Sequence, residues 1–215
     1  MYTPASYREQ DTAFLHDLMR EWSFATIVSH GQDGLLATHL PFLLAPGGHK
    51  DLGILTSHIA RNNAQWRHFE AGGEALIIFQ GPNAFVSVNW YDMQRTFPTW
   101  NYGAIHVYGK VRLNQDPEIN RKILEKTIAR YERPQDGDWS FETMPEEMIA
   151  PRLRAIVGLE IEIDRIEGKL KFNQDKSEAD RKGVRAALAR DAATAPSADF
   201  MERLEARSQG EDDDA

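Results

Sequence analysis

Thr99 to Asn114 reads TWNYGAIHVYGKVRLN. A polar aromatic cluster of Thr99, Trp100, Asn101 and Tyr102 opens it, after which Ile105 and Val107 alternate with His106 and Tyr108 before Val111 and Leu113. Alternation with a period of two marks a half-buried strand, and Gly103 and Gly109 are points where such a strand bends or another backbone comes close. A strand this long is unusual in a small domain but suits a barrel, whose closure needs tilted and bent strands. The rest of the chain is accordingly read as the other strands of a small barrel, a helical cover and a basic segment.

Before this strand, Ser6 and Glu9 have capping-box spacing, and Asp11 caps a helix with Phe14, Leu15, Leu18, Met19 and Trp22 on one face. Strands are expected at 24–29 and, after the turn Gly31–Gly34, at 35–44. Further strands are expected at 54–57, 75–80 and 84–88, the last two around a turn at Gly81–Asn83. The polar run Ser57–Asn63 (SHIARNN) should lead from a strand end into a short helix carrying Trp66 and Phe69, capped by Asn62 or Asn63 and ended by Gly72 and Gly73. After the long strand, Asp116 caps a helix to about Arg130, 131–140 is a loop, and Pro145 opens another helix. A strand at 156–163, the segment GKLKFNQD and a helix from about Ser177 to Arg190 complete the body. Five or six antiparallel strands with peripheral helices make the chain mainly β (α+β).

The chain has 215 residues, 41% of them hydrophobic and 10% aromatic, enough for one core. Residues 1–190 are read as a single domain and 191–215 as an acidic, disordered tail. That tail holds eight acids and two bases, −6 of the formal −8, so the body stands near −2 and gives no global support to nucleic-acid binding. With no cysteine, disulfides and thiolate chemistry are excluded. The longest apolar runs fall well short of the roughly 20 residues that span a bilayer, so a cytoplasmic protein with no membrane partner is expected.

Three segments could carry chemistry. In SHIARNN, backbone N–H groups at a strand-to-helix junction together with Ser57, His58, Arg61 and Asn62 would suit a phosphate; the bland reading is helix capping and a solvated arginine. Between Arg165 and Arg190, eight bases face four acids. This could hold an anionic ligand, touch DNA, or be the solvated face of the last helix. His39, His58 and His106 could form a three-histidine metal site, although nothing in their spacing demands it, and no metal ligand is assigned. HExxH, GxSxG and GxGxxG are all absent.

MYTPASYRE, ATHLPFLL, TSHIARNNAQW, IFQGPNAFVSVNWY, PTWNYGAIHVYGKV, LRAIVGLEIEI and GKLKFNQDKSEADRKGV, in this order, resemble the PaiB-like proteins, also called FMN-binding negative transcriptional regulators. The resemblance covers residues 1 to about 190; the loop from Asp92 to Phe97 and the acidic tail fall outside its pattern. It implies a split β-barrel of the pyridoxamine-phosphate-oxidase type and a homodimer with FMN between subunits. It also implies FMN contacts from Thr38, His39 and Leu40 along the ring, and from Ser57, His58, Ile59, Ala60, Arg61 and Asn62 at the phosphate. Trp100, Asn101 and Tyr102 would supply aromatic surface and hydrogen bonds, Lys171 a charge partner, and Gln174 lies in the same motif. Repression is implied by the family name, but no helix-turn-helix pattern is present. A flavin-dependent oxidoreductase of small molecules is the alternative, and a haem- or metal-handling barrel a weaker one.

Overall fold

The computed structural model describes residues 1–70, 72–132, 135, 137 and 139–213, with the side chains of 211–213 left aside. Its eight strands form one sheet: β1 (Arg8–Glu9), β2 (Phe24–Gly31), β3 (Gly34–Pro41), β4 (Leu43–Ala45), β5 (Ile54–Ala60), β6 (Glu74–Val86), β7 (Thr99–Asn114) and β8 (Ile156–Lys171). The order is β3-β2-β6-β7-β8-β5-β4, with β1 paired to β8. Five helices accompany it: α1 (Thr12–Glu21), α2 (Pro117–Tyr131), α3 (Glu146–Arg154), α4 (Glu178–Leu188) and α5 (Ala195–Asp213). The chain divides into two compact units, one of residues 1–10, 80–105 and 167–215, the other of residues 11–79 and 106–166.

The strand read first is present over the whole expected span, and its odd-numbered residues from Asn101 to Val111 are buried. Two strands are longer than expected. Gly81–Asn83 makes no turn: β6 runs through it while burial passes from odd positions (Ala75, Ile77, Phe79) to even ones (Ala84, Val86). One extra residue's worth of phase keeps both halves pleated, so a Gly-Pro-Asn sequence that elsewhere reverses a chain here only re-aims it. Likewise β8 joins the expected strand at 156–163 to the GKLK segment. Conversely, the strand expected at 35–44 is broken after Pro41, and its remainder, β4, pairs with β5.

In the larger unit, Asp11 caps α1 by accepting from the N–H groups of Ala13 and Phe14. The face it presents buries Phe14, Leu15, Leu18 and Met19 as expected. Gln32 and Asp33 form the two-residue hairpin between β2 and β3, with Gly34 at φ 94°, a conformation open to glycine. β5 pairs with β8 over seven residues, placing His58 opposite Gly158. A side-chain carbon on Gly158 would lie 2.7 Å from both Asn120 Oδ1 and Ile123 Cδ1, so the bare glycine is what lets α2 lie directly on the sheet. His58 Nδ1 and Asn120 Oδ1 are both buried there without a hydrogen-bond partner.

In the smaller unit, Ser177 caps α4, which buries Val184 and Leu188. The tail expected to be disordered is helical over Ala195–Asp213, while residues 214 and 215 lie outside the described residues. The reason is packing: Ala198, Phe200 and Met201 are buried, and Phe200 meets Phe172 with ring centroids 4.7 Å apart. The acidic composition hid this short apolar stripe. No helix among the described residues is long and apolar enough to cross a membrane.

Two outcomes follow from these contacts. Gly183 of α4 abuts the Trp90 carbonyl oxygen, 2.2 Å from where a Cβ would sit. Gly183→Ala should lower stability by about 1–2 kcal/mol in a denaturant melt, because overpacking against backbone outweighs the ~1 kcal/mol gain in helix propensity. A more stable variant would disprove that packing. Burial also holds the His58 imidazole below its ordinary pKa. The unfolded chain takes up a proton near pH 6.5 that the folded chain refuses, so stability falls as pH drops through and below that value. His58→Gln should flatten this slope between pH 8 and 5; an unchanged slope would place its cause elsewhere.

Candidate functional site

The expected phosphate junction is built differently from its reading. Ser57 to Ala60 lie within β5, and the helix that follows is a six-residue 3-10 helix, Ala64–Phe69, capped by Asn63. Because a strand alternates its faces, Ser57 and Ile59 are buried with Leu55, whereas Thr56, His58 and Ala60 are on the other face. Ser57 donates its hydroxyl to the Pro41 carbonyl at 2.7 Å. His58 lies opposite Gly158, where α2 crosses. The two side chains therefore cannot meet one ligand together.

Arg61 is also committed. Its guanidinium donates to the carbonyls of Arg154 (2.7 Å) and Ile156 (3.1 Å) and to Gln115 Oε1 (2.8 Å), which fastens the end of α3 to the start of β8. Asn62 is exposed. In β3, Thr38 donates to Gln65 Oε1 and accepts from Asn63 Nδ2 at 2.9 Å, and His39 Nδ1 is 2.8 Å from Thr26 Oγ1. Among the described residues β3 has β2 as its neighbour in the sheet and stands at the end of the strand order, so the outward backbone groups of Thr38–Leu40 have no second strand beside them. Sequence reading missed Gln65. This fully buried side chain donates to Ile27 O, Leu36 O and Ser29 Oγ, tying the hairpin to the 3-10 helix. Its only sequence signal was a glutamine between a cap and a tryptophan.

In the smaller unit the structure gathers a polar pocket of about 200 Å³, with Tyr7, Tyr91, Phe97, Asn101, Lys171 and Lys176 in its lining. Lys171, half-buried at the end of β8, donates to Thr99 Oγ1. A neutral hydroxyl leaves the ammonium charge uncompensated. Lys176, by contrast, faces Asp175 at 2.9 Å. Burial would raise the Asp175 carboxyl, but hydrogen bonds from Lys176 and Tyr7 outweigh it and hold the pKa below the ordinary value. Burial, then the Asp175 bond, push the Tyr7 phenol up to about 12, so it stays a protonated donor at any physiological pH. Asn173 donates to the Tyr91 hydroxyl at 2.7 Å, and the side-chain oxygens of Asn101 and Asn173 are buried without partners. One cation beyond the carboxylate makes this pocket receptive to an anionic group.

The other expected residues nearby are more fixed. Trp100, half exposed, stacks edge-on to Phe85 and donates its indole N–H to Asn83 Oδ1 at 3.2 Å. The Tyr102 ring faces Lys169 Nζ at 5.1 Å. Gln174 spends its carboxamide on its own strand end, accepting from Phe172 N–H and donating to Leu170 O. No group of three metal-ligating side chains is found among the described residues, so His39, His58 and His106 are not gathered into one.

The first 165 residues match the family described as "Putative FMN-binding domain". The protease synthase and sporulation protein PAI 2 of Bacillus subtilis is 33% identical over 184 residues, covering 86% of this chain and 87% of that protein. An uncharacterized protein of Emericella nidulans is 27% identical over 226 residues, covering 86% and 88%. Among solved structures, the flavocytochrome Anf3 of Azotobacter vinelandii superposes with a TM-score of 0.56 at 10% identity, over 77% of this chain and 69% of that one. The FAD and heme binding protein of Mycobacterium smegmatis gives 0.55 at 15% identity, over 77% and 73%. At such identities these structures share the fold alone. The antiparallel sheet, the family match and the PAI 2 relationship together place the chain in the PaiB-like family of FMN-binding split β-barrel proteins.

Proposed function

We propose that the chain binds FMN as a homodimer and serves as a flavin-dependent regulator of the PaiB type. The observation that carries the cofactor assignment to particular residues is the Lys171 ammonium, which donates to the Thr99 hydroxyl in a pocket whose carboxylate, Asp175, is paired with Lys176. Lys171 and Thr99 would hold an anionic group of FMN, with Asn101 and Tyr102 behind them and the half-exposed Trp100 as an aromatic surface. The larger unit, taken by itself, has an open edge at Thr38, His39 and Leu40 and a strand end from Ser57 through Ile59 and Ala60 to Arg61 and Asn62, whose backbone groups are a separate candidate for cofactor contact. His58 and Gln174 support these elements from within rather than touching it. When bound, FMN supplies one- and two-electron redox chemistry. The residues bind it, orient it and exclude water.

Exposed Met93, Phe97 and Trp100 in the smaller unit favour a subunit contact. A flavin-dependent oxidoreductase is the second reading. It is favoured by the bases from Lys176 to Arg185, each of which faces an acid of the same chain and so adds little free charge for DNA.

Light scattering should return twice the 24.5 kDa chain mass, and a monomer at micromolar concentration would remove the dimer. Titration of FMN and riboflavin by fluorescence quenching should show Lys171→Met weakening FMN about tenfold or more while riboflavin changes little, the scale of a lost charge-assisted hydrogen bond. Equal losses for both ligands would move the phosphate away from Lys171. NADH or NADPH oxidation by the flavin-loaded protein would favour the second reading.

A further inference from the structure

Arg181 and Arg185 stand one turn apart on α4, and both reach the same carboxylate, Glu205 of α5. The distances are 3.0 Å from Arg181 Nε to Oε1 and 2.9 Å from Arg185 Nη1 to Oε2. Arg185 also lies 3.9 Å from Glu202. All three partners of the clamp are only about a quarter to a third exposed. Beside them is a groove of about 600 Å³ whose lining includes Phe172, Met201, Leu204 and Lys182. The neighbouring bases are matched locally, Lys182 by Glu178 at 2.5 Å and Lys176 by Asp175 at 2.9 Å. Of these bases from Lys176 to Arg185, the arginine pair takes its compensation from another helix.

We propose that Arg181 and Arg185 form a phosphate-binding clamp that Glu205 occupies in cis, so that α5 acts as a built-in competitor which closes the site. Two arginines converging on the two oxygens of one carboxylate have the planar, multi-donor geometry that equally fits a phosphate. A terminal phosphate carries more charge than Glu205 and accepts from more donors, a backbone phosphodiester matches its single charge, and Lys182 lines the same groove. The wall of the groove that α5 does not build, with Phe172, Gln174 and Lys182, is left to the remainder of a phosphate-bearing ligand once α5 withdraws. The ligand's phosphate can come from a small polyphosphate or from a nucleic-acid backbone. Binding to the clamp and docking of α5 then oppose each other, and by linkage each weakens the other to the same extent. Nothing in this proposal depends on FMN.

The test uses the full chain with two probes, inorganic pyrophosphate by calorimetry and a fluorescein-labelled duplex DNA by anisotropy, at constant ionic strength. Glu205→Gln keeps the shape and removes the charge. It should bind at least one probe tenfold or more tighter than the wild type, and the gain should vanish in Glu205→Gln/Arg181→Met/Arg185→Met. A gain for pyrophosphate alone identifies a small-molecule site, and a gain for both identifies a backbone site. No gain overturns the proposal whether or not α5 stays docked, because undocking exposes the arginines further. An independent arm needs no variant: saturating pyrophosphate should speed amide hydrogen exchange along α5 in the wild-type chain relative to chloride. Unchanged exchange with no gain in Glu205→Gln leaves the ion pairs as plain helix docking.

Discussion

A strand sends successive side chains to opposite faces, and most of what the larger unit can do follows from how β5 obeys that rule. Leu55, Ser57 and Ile59 are buried on one face, while Thr56, His58 and Ala60 take the other. Seven pairs with β8 hold the register, so no single residue of β5 can turn without a slip that would expose the apolar set. Ser57 is therefore a buried hydroxyl bonded to Pro41, and His58 a neutral imidazole kept so by burial. Whatever ligand this strand meets, it meets through backbone and through one face of side chains.

Polar groups that look functional in isolation here fasten the frame. Gln65 joins two strands and a 3-10 helix through a single carboxamide, and Arg61 closes the C-terminal carbonyls of α3. Each leaves few donors or acceptors idle, as buried polar groups must if they are not to cost stability. Lys171 differs from both. Among the described residues its ammonium is bonded to one hydroxyl, whereas the Arg61 guanidinium is bonded to three acceptors.

The smaller unit shows the same accounting of charge. A basic segment that reads as a candidate nucleic-acid contact is largely neutralised by acids from its own turn or from α5. The last helix, in turn, is more than a polar appendage because Phe200 and Met201 anchor it and Glu205 aligns it. Composition alone gives −6 for the tail and a basic excess upstream. The fold turns those two totals into paired contacts.

The sequence by itself determined the class of the fold, since alternation in β7, the cap at Asp11 and the two-residue hairpin at Gln32–Asp33 are local signals with a period or a turn chemistry. It also carried the family, through seven motifs in a fixed order. Long-range partners were not legible: whether GPN bends or reverses β6, whether SHIA is strand or loop, and which acid faces Arg181 depend on what packs against them. Apolar patterns are written residue by residue and so can be read from one chain. Hydrogen bonds and ion pairs between residues as far apart as Glu9 and Arg207, 198 positions, are decided only when tertiary packing fixes which groups lose water and which remain to bind something else.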